Sequence, residues 1–238
     1  MSGAVTVSDT KEFTQQEWRK HKRRTARNIR HAHAQNLLQG ILSMLRPGDV
    51  VLDCGANLGD VTQPLCDTGA LVHAFEPDPY AFEQLTARVG RCENVVLHNA
   101  AVGVSSGAIK LMRAQNFDDN PKGGSVKSTI VAGGRQIDEA EGIEVALVSL
   151  PEMLREIIQG HGRIAFLKMD IEGAETDVLL ETGHEQTLAR TSVLVIEIHP
   201  VDKAQAIHDA ITATGLEHVW GSEPMIGQHV FARPDHIK

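Results

Sequence analysis

Short apolar runs, each closed by an acid, an amide or a histidine, recur along this chain. Val50, Val51 and Leu52 follow a Pro47-Gly48 breaker and stop at Asp53. Leu71 to Phe75 stop at Glu76, and Val95 to His98 lead to Asn99, with Asn99–Val102 as the exit of that third strand. Residues 163–169 stop at Asp170, and residues 192–198 stop at His199-Pro200. Runs of this length, rich in β-branched residues, read as buried strands of a parallel sheet. Helical stretches alternate with them. One begins near Leu58. The next has Asp78 as N-cap and Pro79 at its first position. Ser149 and Glu152 match a capping box with Pro151 early in a helix that ends near Gly160. A helix over 174–182 closes at Gly183, and Asp202 caps another that runs to about Thr214 and stops at Gly215. Leu216–Trp220 and His229–Ala232 supply a final strand pair, the last strand antiparallel. The pattern predicts an α/β fold: a seven-stranded, mostly parallel sheet with helices on both faces.

The alternation fails in two places. Residues 10–45 read as helical, broken near the middle, with Ile29, Leu37, Ile41 and Leu45 as an apolar stripe. The chain therefore divides into an N-terminal helical extension, 1–46, and a domain over 47–238. The second break, 104–148, reads as an inserted β-hairpin. Its strands are Ala108–Met112 and Ile143–Val148, and a long, mobile, glycine-rich loop between them would cover the substrate.

Composition narrows the class. At 238 residues, 42% hydrophobic, the chain can bury a full core. No apolar run is long enough to span a membrane, and the first residues lack the apolar region of a secretory signal. Cys54, Cys66 and Cys92 follow no zinc spacing and no disulfide framework, so a reducing cytoplasm is expected. A net charge of −8 argues against a DNA or general nucleic-acid binder. The charge is uneven, however: Lys20 to Arg30 holds six Lys or Arg and no acid. That run reads first as a solvated helix face, and alternatively as a dock for an anionic substrate.

Candidate chemistry collects at the strand ends, where open α/β sheets bind ligands. Asp53, Gly55 and Gly59 form D-x-G-x-x-x-G, not the G-x-G-x-x-G of dinucleotide sites. An acid there repels a pyrophosphate and suits a cationic ligand bearing an ammonium and a sulfonium. Glu76 lies 23 positions after Asp53, where an acid can bind both hydroxyls of a ribose. Alone, Asp53 reads as a capping acid and Glu76 as a solvated strand end. Together with both glycines they read as an S-adenosylmethionine site. Asn99 can hydrogen-bond an adenine or serve as a turn residue. Asp170, Glu172, Glu197 and His199 lie at the ends of the fourth and fifth strands. His199 is a candidate general base, or a strand-end histidine before Pro200; both readings stay open. Lys168 reads as structural, and Glu172 reads either as structural, starting the next helix with a favourable dipole, or as an acceptor-side group. Asp170, Glu197 and His199 also form an alternative divalent-metal set, ranked below a metal-free site.

The motifs VLDCGANLGD (51–60), FEPDP (75–79), LHNAAVG (97–103), LKMDIEGAE (167–175) and VLVIEIHP (193–200) resemble those of FkbM-type methyltransferases. NPKGGSV (120–126) resembles the polar loop this family carries before its fourth strand. The resemblance implies a class I methyltransferase Rossmann-like fold and O-methylation by S-adenosylmethionine of a sugar, polyketide or related small metabolite. It places Asp53, Gly55, Asn57, Gly59, Glu76 and Asn99 at the cofactor, with Ala56, Pro77, Ala100 and Asp170 beside them. Asp170, Glu172 and His199 would face the acceptor, with no metal. A homodimer, whose partner would help shape the acceptor pocket, is compatible with this. The alternatives are an RNA-modifying methyltransferase docking through the basic helix, a metal-dependent O-methyltransferase, and a non-enzymatic binding protein. An NAD-dependent oxidoreductase is disfavoured by the glycine spacing.

Overall fold

The computed structural model describes residues 14–133, 136–180, 188–199, 201–221 and 227–236. The chain forms two units, 1–44 and 45–238. In the first, α1 runs from Gln15 to Met44 without a break, so the expected mid-helix interruption is absent. No proline or glycine pair falls in its middle to force one. The side chains of Ile29, His31 and His33 lie outside the described residues.

In the second unit, β1 (Val50–Cys54) is buried along its whole length. It is the third strand of a seven-stranded sheet. On one side lie β2 (Leu71–Phe75) and β3 (Val95–His98). On the other lie β7 (Ile164–Met169), β8 (Thr191–Ile198), β10 (Gly227–Ala232) and the edge strand β9 (Glu217–Gly221). All pairings are parallel except those of β10, which runs antiparallel to both neighbours. The expected α/β sheet and its antiparallel final strand are both present. β1 and β7 are immediate neighbours, so the ends at Asp53 and Asp170 lie side by side. The Asp170 N–H donates to the Cys54 carbonyl at 3.1 Å, closing that seam.

Local sequence explains most helix ends. Asp78 accepts from the Tyr80 N–H and caps α3 (Pro79–Val89), as expected. Ser149 caps α5 (Leu150–His161), but Glu152 turns away to accept from Ser106 Oγ, so the box is only half made. Two expectations fail. The helix after the glycine turn, α2, spans only Thr62–Cys66, because Asn57 takes positive φ and its side chain accepts from the Leu58 N–H. A side chain that serves its own turn competes with helix propagation. The helix after β8, α7 (Ala204–Ala213), starts from a 3-10 turn over Val201–Lys203 and has no Asp202 cap. Of the helix expected over 174–182, α6 covers Glu175–Leu180, and its close at Gly183 falls outside the described residues.

The insertion is more than a hairpin. β5 (Gly107–Ala114) and β6 (Ile137–Ser149) pair antiparallel, and β4 (Ala100–Gly103) joins β6 in parallel to make a second, three-stranded sheet. The Asn99–Val102 exit expected of the third strand is therefore a strand itself. Between β5 and β6 lies α4 (Pro121–Ser125), capped by Asn120, followed by a segment that hydrogen-bonds back to Met112.

Cys66 and Cys92 form a disulfide, which corrects the expectation of unpaired thiols. They lie 26 residues apart, at the end of α2 and just past α3, two segments that fold side by side. Cys54 is free, and burial pushes its thiol far above the ordinary range, in keeping with a packing role. Among the described residues, no helix is long and apolar enough to cross a membrane.

Candidate active site

The strand ends enclose one cavity with two chemically different walls. Gly55, Asn57, Glu76, Pro77 and Ala100 line the first, with Phe75, Val102, Leu111 and Ile130 as its apolar floor. Asp170, Ile171 and Glu172 line the second. Ser125, Ser128 and Thr129 from the insertion also reach the cavity.

Glu76 is held from below. The Asn57 N–H donates to one carboxylate oxygen and the Asp78 N–H to the other, both at 2.8 Å. Burial pushes its carboxyl up to about 7, against the pull of those donors. The free lone pairs suit a vicinal diol, and the apolar floor suits a purine. Asn57, with φ of 48°, turns its N–H toward Glu76, and Gly55 takes φ of 79°. A side chain on Gly55 would run into the Asp170 carbonyl, so only glycine lets the two walls meet. These residues fit S-adenosylmethionine.

Four expected cofactor residues do not line the cavity. Asp53 is fully buried beneath the turn. It accepts from Thr62 Oγ1 at 2.7 Å and pairs with the Lys168 ammonium at 3.2 Å. It therefore steadies the turn and does not face a bound cation. Strand register causes this, since Asp53 and Lys168 are partners across β1 and β7. Ala56 is buried in a small core cluster. Gly59 faces Leu85 and Arg88 of α3. Asn99 donates to the carbonyls of Glu76 and Pro77, tying the strand ends together.

Lys168 confirms its structural reading and adds to it. Its ammonium donates to the Gly55 carbonyl at 2.8 Å and lies 3.8 Å from Asp170. Burial opposes its charge, but Asp53 and Asp170 outweigh that and hold it protonated.

The second wall is an acid cage around one imidazole. His199 does not line the cavity; it stands behind the two carboxylates that do. Its Nε2 lies 3.5 Å from Glu172 and 4.0 Å from Asp170, while Nδ1 meets Glu175 at 3.0 Å. Glu175 is fully buried and also accepts from the Ile171 and Gly173 N–H groups. It thereby shapes the 170–175 turn and fixes the ring. Burial works against the charged form of His199, but the bond to Glu175 and the charges of Glu175, Glu172 and Asp170 push it up to about 9. Burial pushes Glu172 up to about 7, opposed by His199 and assisted by Asp170 and the other acids. Glu172 also takes positive φ, 53°, rare for a non-glycine residue and a sign of strain held by its surroundings.

Asp170, Glu175 and His199 offer atoms within 4.8 Å of one another and could hold a metal ion. The Glu175 oxygens already serve two backbone N–H groups and His199, which weakens that set. Glu175, Ser128 and Thr129 were missed in the sequence. Glu175 lies inside LKMDIEGAE, where its spacing from Asp170 was the available signal. The two hydroxyls carry none.

A family model described as the methyltransferase FkbM domain matches residues 53–218. The 31-O-demethyl-FK506 methyltransferase FkbM of Streptomyces tacrolimicus is 31% identical over 188 residues, covering 67% of this chain and 69% of that protein. The hexuronic acid methyltransferase AglP of Haloferax volcanii is 28% identical over 191 residues, covering 76% and 71%. A ribosomal RNA small subunit methyltransferase H of Novosphingobium aromaticivorans is 27% identical over 182 residues, covering 72% and 52%. The match spans both walls of the cavity, from the glycine turn past His199, and the protein belongs to the FkbM family of S-adenosylmethionine-dependent methyltransferases.

Proposed function

We propose that the protein methylates a hydroxyl of a small metabolite, such as a sugar, uronic acid or polyketide. The observation that carries this is the carboxylate wall, Asp170 and Glu172, set across one cavity from the ribose-binding Glu76. The two relatives named for small acceptors, a demethylated FK506 and a hexuronic acid, support the substrate class.

Gly55, Asn57 and Glu76 would hold S-adenosylmethionine, which would supply the methyl to the hydroxyl oxygen with the carbon–sulfur electron pair leaving on sulfur. The hydroxyl proton needs an acceptor. Glu76 and Glu172 both line the cavity and are both pushed up to about 7, but Glu76 is engaged by the ribose, which leaves Glu172 as the acceptor-side base. His199 is protonated at neutral pH, so it acts as a fixed cation that orients Glu172 and Asp170 rather than as the base. Asp170 orients the hydroxyl by accepting from it or from a neighbouring one. The walls and insertion exclude water from the transfer. The test is transfer of labelled methyl to panels of sugars, uronic acids, polyketides and RNA. Label on a small hydroxyl compound supports the proposal. Label on RNA alone overturns it.

A further inference from the structure

The insertion touches both walls. Its residues Ser125, Val126, Ser128, Thr129 and Ile130 line the cavity between them, and the Ser128 and Thr129 hydroxyls bond to opposite walls. Ser128 Oγ donates to Asp78 Oδ2 at 3.2 Å. That carboxylate is fully buried and also receives Arg113 through two bonds, at 2.8 and 3.0 Å. The Asp78 N–H is one of the two donors that hold Glu76. On the other side, Thr129 Oγ1 donates to the Glu172 carbonyl at 2.6 Å and accepts from the Val131 N–H at 3.0 Å. Two backbone hydrogen bonds to Met112 hold Thr129 on the second sheet. The Glu172 carbonyl it grips belongs to the residue with strained φ, and Val131 packs against Gly173 beside it. A path of three hydrogen bonds, joined by the covalent Ser128–Thr129 link, thus runs from Glu76 through Asp78 to Glu172.

We propose that Ser128 and Thr129 are positioning residues that couple cofactor binding at Glu76 to the placement of Glu172. The proposal rests on the reading of Glu172 as the acceptor-side carboxylate. The physical basis is that a ligand ordering Glu76 also orders Asp78, and Asp78 is tied through Ser128 to the segment whose Thr129 grips the opposite wall. An unoccupied Glu76 leaves the 170–175 turn freer to relax its strained backbone. An occupied one makes that turn's geometry part of the cofactor-bound state. The second sheet then acts as a strap between the two substrates, in addition to covering them.

The test is amide hydrogen exchange over residues 170–175, with and without S-adenosylhomocysteine, in the full chain. The Ile171 and Gly173 amides, both bonded to Glu175, report the order of the turn. Wild type and Thr129→Ser, which keeps the hydroxyl, are expected to exchange about tenfold more slowly when ligand is bound, an effect of one good hydrogen bond. Thr129→Val is expected to lose that slowing while its calorimetric affinity for S-adenosylhomocysteine stays within about threefold. Ser128→Ala, which cuts the path at Asp78, gives the same readout should Thr129→Val fail to fold. Retained slowing in both variants overturns the coupling. So does ligand binding to wild type without any change at 170–175, an outcome that leaves the methyltransferase reading intact. Failure of S-adenosylhomocysteine to bind wild type instead overturns the assignment of the Glu76 wall.

Discussion

The two walls of the cavity use the same residue type in opposite ways. On the cofactor wall one carboxylate, Glu76, is held by two backbone N–H groups and faces the site alone. On the acceptor wall Asp170, Glu172 and Glu175 crowd one imidazole, and side-chain charge does the holding. A binding carboxylate needs a fixed direction, and backbone donors provide it. A proton-accepting carboxylate needs a pKa near the working pH, and burial among other acids provides that. Burial raises both Glu76 and Glu172; backbone donors and Lys168 oppose it at Glu76, whereas His199, 3.5 Å away, opposes it at Glu172.

The largest expected effect comes where the walls touch. Gly55→Ala places a methyl against the Asp170 carbonyl at a backbone angle that suits glycine, and strains both walls at once. A stability loss on the order of 4 kcal/mol is expected, read as a shift in the urea midpoint. A neutral Gly55→Ala would show that the walls are not in contact.

Next comes Glu172→Gln, which removes the proposed proton acceptor but keeps the shape. Turnover on an identified acceptor is expected to fall about a hundredfold. In wild type the rate should rise with pH through about 7 as Glu172 loses its proton, and the variant should lack that limb. A pH profile unchanged by the substitution would remove Glu172 from the role. Glu76→Ala sharpens the contrast from the other side: affinity for S-adenosylhomocysteine should fall about thirtyfold by calorimetry, the effect of lost bonds to a charged group.

The smallest effect concerns stability and pH. The pKa of His199 is raised from 6.5 to about 9, so its contribution to stability is complete below 6.5 and lost as pH rises through about 9. His199→Asn should flatten that part of the stability profile, measured by urea unfolding on either side of the window. An equal slope in both proteins would place the imidazole outside the acid cage.

How far these residues could be read from sequence follows the same division. The spacing from Asp53 to Glu76 is set by a β-α-β unit of regular length, so local pattern located Glu76 at the end of β2, where it lines the cavity. Asp53 was misplaced because its partner, Lys168, lies across a strand pairing that periodicity does not specify. Asp170, Glu172 and His199 were legible as strand-end residues, but their grouping around Glu175 was not. A first-turn helix acid looks the same in sequence whether it is solvated or buried. Thr129 and Ser128 lie in a polar, glycine-rich stretch with no period, so only the folded insertion shows what they touch. The second sheet was half legible: alternation revealed β5 and β6, while the short run at Ala100–Gly103 looked like a loop exit.

The most direct test of the two-wall arrangement is S-adenosylhomocysteine titration of wild type, Glu76→Ala and Glu172→Gln by calorimetry. Wild type should bind, Glu76→Ala should bind about thirtyfold more weakly, and Glu172→Gln should stay within about twofold of wild type. Equal weakening by both substitutions, or by Glu172→Gln alone, would contradict the division of the cavity into a cofactor wall and an acceptor wall.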